Sequence, residues 1–212
     1  MPPAPLIVLD LDGTLIDTFP RHHRTYRRIA GEFGLEPLEF DRYRRLRRRG
    51  RSNLEVLLRG GLPEEKAEAA RALWREWIES GEMLALDRPL AGVIPWLEEW
   101  SGVARLVLAT IRSREENLAR QLEALDLPRY FERVVAVPHD GDPGGAKAEA
   151  VASVAGGDIE AWVGDTEADM RAAARVGARP TGVLTGMRSA GVLRRAGAAR
   201  VVQSIARIHS WN

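Results

Sequence analysis

The chain has 212 residues, of which 45% are hydrophobic and 29% charged, and its 31 basic and 30 acidic residues leave a formal net charge of +1. That balance gives no electrostatic reason to expect a nucleic-acid partner, and no apolar run approaches the roughly 18 residues of a membrane span. With no cysteine there is no disulfide framework and no thiolate metal site, and a cytoplasmic setting is expected.

The first segment, MPPAPLIVLD, has no basic stretch ahead of its apolar run, so no cleaved leader is expected. Its LIVLD (6–10) is apolar without alternation, as in a strand of a parallel sheet covered on both faces. From about 19 to 88 the texture is helical. RHHRTYRRIAGEFG (21–34) and PEEKAEAARALWREWIES (63–80) carry apolar residues at spacings of three and four. In the second, Pro63 suits a first turn, acids follow it, and Leu73, Trp77 and Ile78 form a stripe. The arginine run RYRRLRRRGR (42–51) reads as a solvated helix face. Strand texture then returns in RLVLAT (105–110), RVVAV (133–137), EAWVGD (160–165) and TGVLTG (181–186), with helical stretches at 114–125 and 146–154. Strands alternating with helices predict βαβ units and a parallel sheet with right-handed crossovers. The fold expected is α/β: a core of 1–16 and 90–212, interrupted after its first strand by a helical domain of 17–89.

Open α/β sheets bind ligands at the carboxyl ends of their strands, and polar residues gather there. The first strand runs into Asp10 and Asp12, RLVLAT ends in Thr110, and EAWVGD ends in Asp165, with Asp169 four residues on. Lys147 is expected to open a helix between them. In a chain whose other basic residues are all arginine except Lys66, a lysine at such a place is informative. Residues i and i+2 of an extended chain point the same way, so Asp10 and Asp12 should face one site, and Asp165 adds a third carboxylate. Such a cluster is costly without a cation or a bound proton. Oxygen-only ligands suit Mg²⁺, which binds through a few carboxylates together with a substrate phosphate. Gly13 lets the backbone turn closely around a ligand, and Thr14 offers a hydroxyl and a backbone N–H.

DLDGTL (10–15), Thr110, Lys147 and GDTEAD (164–169) resemble, in order and spacing, the four motifs of the haloacid dehalogenase-like superfamily of hydrolases. The helical block resembles the cap of the phosphoglycolate phosphatase-like subfamily. The resemblance implies a Rossmann-like core and a Mg²⁺-dependent phosphatase acting on a small phosphorylated metabolite. Asp10 would be the nucleophile and Asp12 the acid and then the base. Thr110 would bind phosphoryl oxygens and Lys147 would balance their charge. Mg²⁺ would bind Asp10, the Asp12 carbonyl and Asp165, with Asp169 in support. Leu9, Ile111 and Ala148 stand where the family often has Phe, Asn and Pro. A β-phosphoglucomutase-like phosphomutase shares both aspartates, and a non-catalytic phosphate-binding protein is an alternative of another class. In the cap, Gly50 lies between arginines just before a helix expected at 52 or 53, so Arg49 or Arg51 is expected to grip a second anionic group on the substrate. The six tryptophans read as packing. His22 and His23 lie near the cleft expected at the first motif, and His139 and His209 carry no metal-ligand spacing.

Overall fold

The computed structural model describes residues 4–139 and 141–211. In chain order it forms β1 (Leu6–Leu9), β2 (Ile16–Asp17), α1 (Phe19–Glu32), α2 (Phe40–Arg48), α3 (Asn53–Arg59), α4 (Ala67–Trp77), α5 (Gly81–Leu84) and β3 (Arg88–Pro89). These are followed by α6 (Val93–Trp100), β4 (Arg105–Ile111), α7 (Glu115–Ala124), β5 (Arg133–Val137), α8 (Pro143–Ala155), β6 (Ile159–Gly164), α9 (Glu167–Arg175), β7 (Arg179–Val183), α10 (Ala190–Arg195) and β8 (Arg200–Val202). Six strands make one parallel sheet in the order β5-β4-β1-β6-β7-β8. This is the Rossmann-like α/β architecture expected.

The unbroken apolar run of β1 has a direct physical reason. Ile7 and Leu9 pack on one face with Leu106, Leu108, Trp96 and Leu97, whereas Leu6 and Val8 pack on the other with Val107, Trp162, Val151 and Ala172. Alternate side chains enter different cores, and neither face is left for water. Among the described residues no helix is long and apolar enough to cross a membrane.

Between β2 and β3 the chain leaves the sheet and returns. These two short strands pair antiparallel, Ile16 with Pro89 and Asp17 with Arg88. The five helices between them have their own apolar cluster, including Phe19, Tyr26, Ile29, Tyr43, Val56 and Leu57, which Met187 of the sheet domain joins. The stripe read at 73–78 is half-buried. The chain makes a 3₁₀ turn at Glu64–Lys66 before α4 begins, and Ala70 is the fully buried residue of α4. Four tryptophans, 96, 100, 162 and 211, are core residues. Trp74 tilts against His22 with ring centroids 5.5 Å apart, and Trp77 lies under the Arg28 guanidinium at 4.0 Å.

The helical block is docked at both ends of its inner face. Glu79 accepts the backbone N–H of Ser113 at 3.1 Å and of Arg114 at 2.8 Å, where α7 begins with unsatisfied donors. On the other side Arg48 Nη1 donates to the Leu184 carbonyl at 2.8 Å, and the Ser189 N–H donates to the Arg48 carbonyl at 2.9 Å.

Candidate active site

A cleft of about 490 Å³ opens between the carboxyl ends of the strands and the helical block. Thr110 lines it from β4, and Asp10 and Asp165 line it from just past the ends of β1 and β6. Lys147 and Asp169 stand behind them, buried to 1% and 0% exposure. Lys147 lies one turn inside α8, which starts at Pro143, and not at the helix start as expected. From there Nζ donates to Asp10 Oδ1 and to Asp169 Oδ1, each at 2.6 Å.

One oxygen from each of Asp10, Asp165 and Asp169 lies within 4.8 Å of the others. Their surroundings divide the work. Asp169 is fully engaged: Oδ1 takes Lys147, while Oδ2 accepts from the Thr166 backbone N–H at 3.1 Å and its hydroxyl at 2.6 Å. Asp165 Oδ2 accepts the Met187 backbone N–H, but its Oδ1 is buried with no hydrogen-bond partner among the described residues. Two glycines shape the wall against it. A Cβ at Gly13, whose φ is +79°, would lie 2.7 Å from Asp165 Oδ2, and one at Gly186 would lie 2.0 Å from the same atom. Burial, with Asp169 next, pushes the Asp165 carboxyl up to about 7. Burial likewise pushes Asp10 well above the usual carboxylate range, against the pull of Lys147 and with help from Asp169 and Asp165. A buried oxygen without a donor among the described residues, on one of two neighbouring carboxylates, Asp165 and Asp10, that burial disfavours as anions, is the donor set a hard divalent cation fits.

Asp12 lines the same cleft but belongs to a different electrostatic neighbourhood. Arg112 grips it with a fork, Nε to Oδ2 at 2.8 Å and Nη2 to Oδ1 at 2.6 Å, and Arg21 Nη2 reaches Oδ1 at 2.6 Å. Burial opposes the Asp12 anion, yet Arg112 and Arg21 hold its carboxyl well below the usual range. The Asp12 side chain therefore lies outside the three-acid group, and this is how two carboxylates one residue apart coexist. Each has its own cation, and the environments drive their acidities in opposite directions.

The remaining expected residues are placed as follows. Thr110 Oγ1 is buried without a partner among the described residues and its residue lines the cleft. Thr14 Oγ1 points at Asp10 Oδ2 from 3.5 Å, but its backbone N–H is spent on the Leu11 carbonyl at 3.3 Å and is not free for a ligand. Gly13 gives its carbonyl to the Thr185 hydroxyl at 2.6 Å. Arg49 is exposed and Arg51 pairs with Glu55 at 3.0 Å, and neither lines the cleft. The arginine of that run that does so is Arg47, 7% exposed, with a buried Nε that has no partner among the described residues. Arg21, Arg112, Arg188, Glu79 and Trp74 also line the cleft without having been singled out in the sequence. Arg112 follows Thr110 at the same two-residue spacing that joins Asp10 to Asp12, a signal that was available. Of the histidines, His22 and His139 line the cleft; His23 is held by the Leu38 carbonyl at 2.9 Å. Burial, followed by Arg21 and Arg47, lowers His22 well below its ordinary range.

Residues 4–177 match the family model described as haloacid dehalogenase-like hydrolase. A phosphoglycolate phosphatase of Caulobacter vibrioides is 33% identical over 189 residues, covering 84% of this chain and 76% of the relative. A haloacid dehalogenase-like family hydrolase from Streptococcus pneumoniae superposes with a TM-score of 0.78 at 18% identity, covering 95% of this chain and 94% of that one. A structure described as a candidate β-phosphoglucomutase from Thermotoga maritima superposes with a TM-score of 0.65 at 26% identity, over 93% of this chain and 94% of that one. With that match over most of its length and these relatives, the chain belongs to the haloacid dehalogenase-like hydrolases and is a phosphatase of that family.

Proposed function

We propose that the protein is a Mg²⁺-dependent phosphomonoester hydrolase that acts on a small phosphorylated metabolite through an aspartyl-phosphate on Asp10. The observation that carries this reading is the pairing of Asp10 with Lys147 beside Asp165, whose buried Oδ1 has no donor among the described residues. Asp10 and Asp165 would hold the ion, with the Asp12 backbone carbonyl, and Asp169 would orient Lys147. When bound, Mg²⁺ would offset the carboxylate charge and polarise the phosphoryl group.

The chain's own groups carry the rest. Asp10 Oδ2, the oxygen not bonded to Lys147, attacks phosphorus, and the bond from phosphorus to the leaving oxygen breaks. Lys147 and the Thr110 hydroxyl bind phosphoryl oxygens as charge moves onto them. Asp12, which Arg112 and Arg21 hold ionised, first takes up the proton of the phosphomonoester monoanion, passes it to the leaving oxygen, and then takes one from the water that frees Asp10. The helical block of 17–89 acts as a cap on the core of 1–16 and 90–212, with its inner face, including Arg47 and Trp74, meeting the leaving group. The phosphoglycolate phosphatase relative favours hydrolysis over phosphoryl return to a second sugar hydroxyl.

The test is direct. The purified protein with Mg²⁺ should release inorganic phosphate from p-nitrophenyl phosphate and from members of a phosphate-ester panel, and acid quenching during turnover should trap phosphate on Asp10. Turnover without any trapped phosphoenzyme would contradict the covalent route. Isomerised phosphate ester without net phosphate release would make it a mutase.

A further inference from the structure

Asp12 is one member of a closed ring of hydrogen bonds that runs out of the cleft and back. Arg112 Nη2, besides gripping Asp12, donates to Gln121 Oε1 at 3.2 Å. Gln121 Nε2 donates to Asp87 Oδ2 at 2.7 Å, Arg21 Nε meets Asp87 at 3.0 Å, and Arg21 Nη2 returns to Asp12. Arg21, Asp87, Arg112 and Gln121 are all buried, between 1% and 7% exposed. Asp12, Arg21 and Arg112 line the cleft, but Gln121 and Asp87 do not.

The members come from separate parts of the chain. Arg21 sits in the first turn of α1, just after the chain leaves the core through β2. Asp87 stands immediately before β3, where the chain returns. Arg112 follows β4, and Gln121 is on α7 of the core. A guanidinium fork fixes a carboxylate in plane as well as in place, because both oxygens are engaged at once. Gln121 alone in the ring is neutral. Its amide accepts from Arg112 and donates to Asp87, so it passes position from one to the other without adding charge.

We propose that Arg112 is a positioning residue that sets the direction of the Asp12 carboxylate, and that Gln121 and Asp87 tie this setting to the seating of the chain where it returns from the cap. The proposal rests on the acid role assigned to Asp12 above. It assigns Arg112 a function distinct from phosphate binding, even though its Nη1 is buried without a partner among the described residues.

The experiment compares leaving groups. The ratio kcat/KM reports transfer to Asp10, and a nitrophenolate departs without a proton whereas an alkoxide needs one. Wild type, Asp12→Asn, Arg112→Lys and Gln121→Met are assayed on p-nitrophenyl phosphate and on the best alkyl phosphate from the panel. Arg112→Lys keeps the charge but loses the fork. It should lower kcat/KM for the alkyl ester about ten- to a hundredfold, the scale of a misaimed catalytic group, and change p-nitrophenyl phosphate by no more than about threefold. Gln121→Met keeps the side chain's size, touches no substrate and should show the same selectivity at about three- to tenfold; a thermal melt confirms that it folds. Equal losses on both esters for Arg112→Lys would mean that Arg112 holds the phosphoryl group, and a wild-type ratio for Gln121→Met would cut the ring's link; either overturns the proposal. Asp12→Asn separates this from its premise. A selective loss there with none at Arg112 or Gln121 rejects the ring alone, whereas no selective loss in Asp12→Asn rejects the acid role itself.

Discussion

Replacing Gly186 by alanine would put a carbon where Asp165 already is. The new Cβ would stand 2.0 Å from Asp165 Oδ2, 2.4 Å from its Cγ and 2.6 Å from its Cβ. Ordinary contact begins near 3.4 Å, so the carboxylate or the loop after β7 must move by on the order of 1 Å. The carboxylate cannot turn freely, because the Met187 N–H next to Gly186 is bonded to the same Oδ2. Overpacking of this kind costs about 1–3 kcal/mol. For a chain of this size that corresponds to a melting temperature lowered by roughly 3–10 °C. The functional effect should be larger. Displacing Asp165 from its proposed place at the metal should raise the Mg²⁺ concentration for half-maximal activity by about ten- to a hundredfold, the scale seen when groups that orient metal ligands are disturbed. The assay is a Mg²⁺ titration of phosphate release, run beside a thermal melt. Gly81→Ala serves as the control, since a Cβ there meets nothing within 4 Å. A Gly186→Ala protein with the wild-type Mg²⁺ requirement and an unshifted melt would refute the placement of Asp165 as a ligand held in a glycine mould.

Asp10→Asn should lose at least about a thousandfold in kcat with the fold intact, since a carboxamide cannot make the attack proposed for Asp10; steady-state assays and a melt check this. EDTA should stop turnover and Mg²⁺ restore it, and Asp165→Ala should abolish that rescue at millimolar metal. Burial lifts Asp87 to about 6 from an ordinary 3.8, despite Arg21 beside it. The folded chain thus binds this proton more tightly than the unfolded one, and stability falls as pH rises from about 4 to about 6, by on the order of 3 kcal/mol. Asp87→Asn should flatten this segment relative to wild type in urea melts at pH 4, 5 and 6. Arg47→Ala should lower kcat/KM about tenfold or more for an ester with a second anionic group, whereas Arg51→Ala, which loses only an outward pair with Glu55, should stay within about twofold.

Much of the core was legible because a strand covered on both faces leaves a continuous apolar run, as LIVL, LVLAT and AWVG do. Where that physics fails, so does the reading. The β2–β3 ribbon has two residues per strand, and β8 is a half-buried strand of three, too short for any period to show. The acids at strand ends announced themselves by type, since Asp10 and Asp165 each end an apolar run. The arginines did not. In a chain where nearly every base is arginine, composition offers no contrast between Arg47 inside the cleft and Arg49 outside it. Arg49 stands just past the end of α2, about 200° of helical rotation on from Arg47, and only the packing of α2 decides which one turns inward.

The same scarcity of lysine makes the chain its own chemical reporter. Besides the amino terminus, only Lys66 and Lys147 can react with an amine-selective reagent. Lys66 is exposed on the helical block and open to the reagent, which supplies an internal standard. Lys147, 1% exposed and clasped by Asp10 and Asp169, is both hidden and held charged by those two acids, so it stays silent while the site is intact. Mass spectrometry of a labelled sample then yields two numbers, and their ratio counts how often the interior around Asp10 comes open, with no substrate needed.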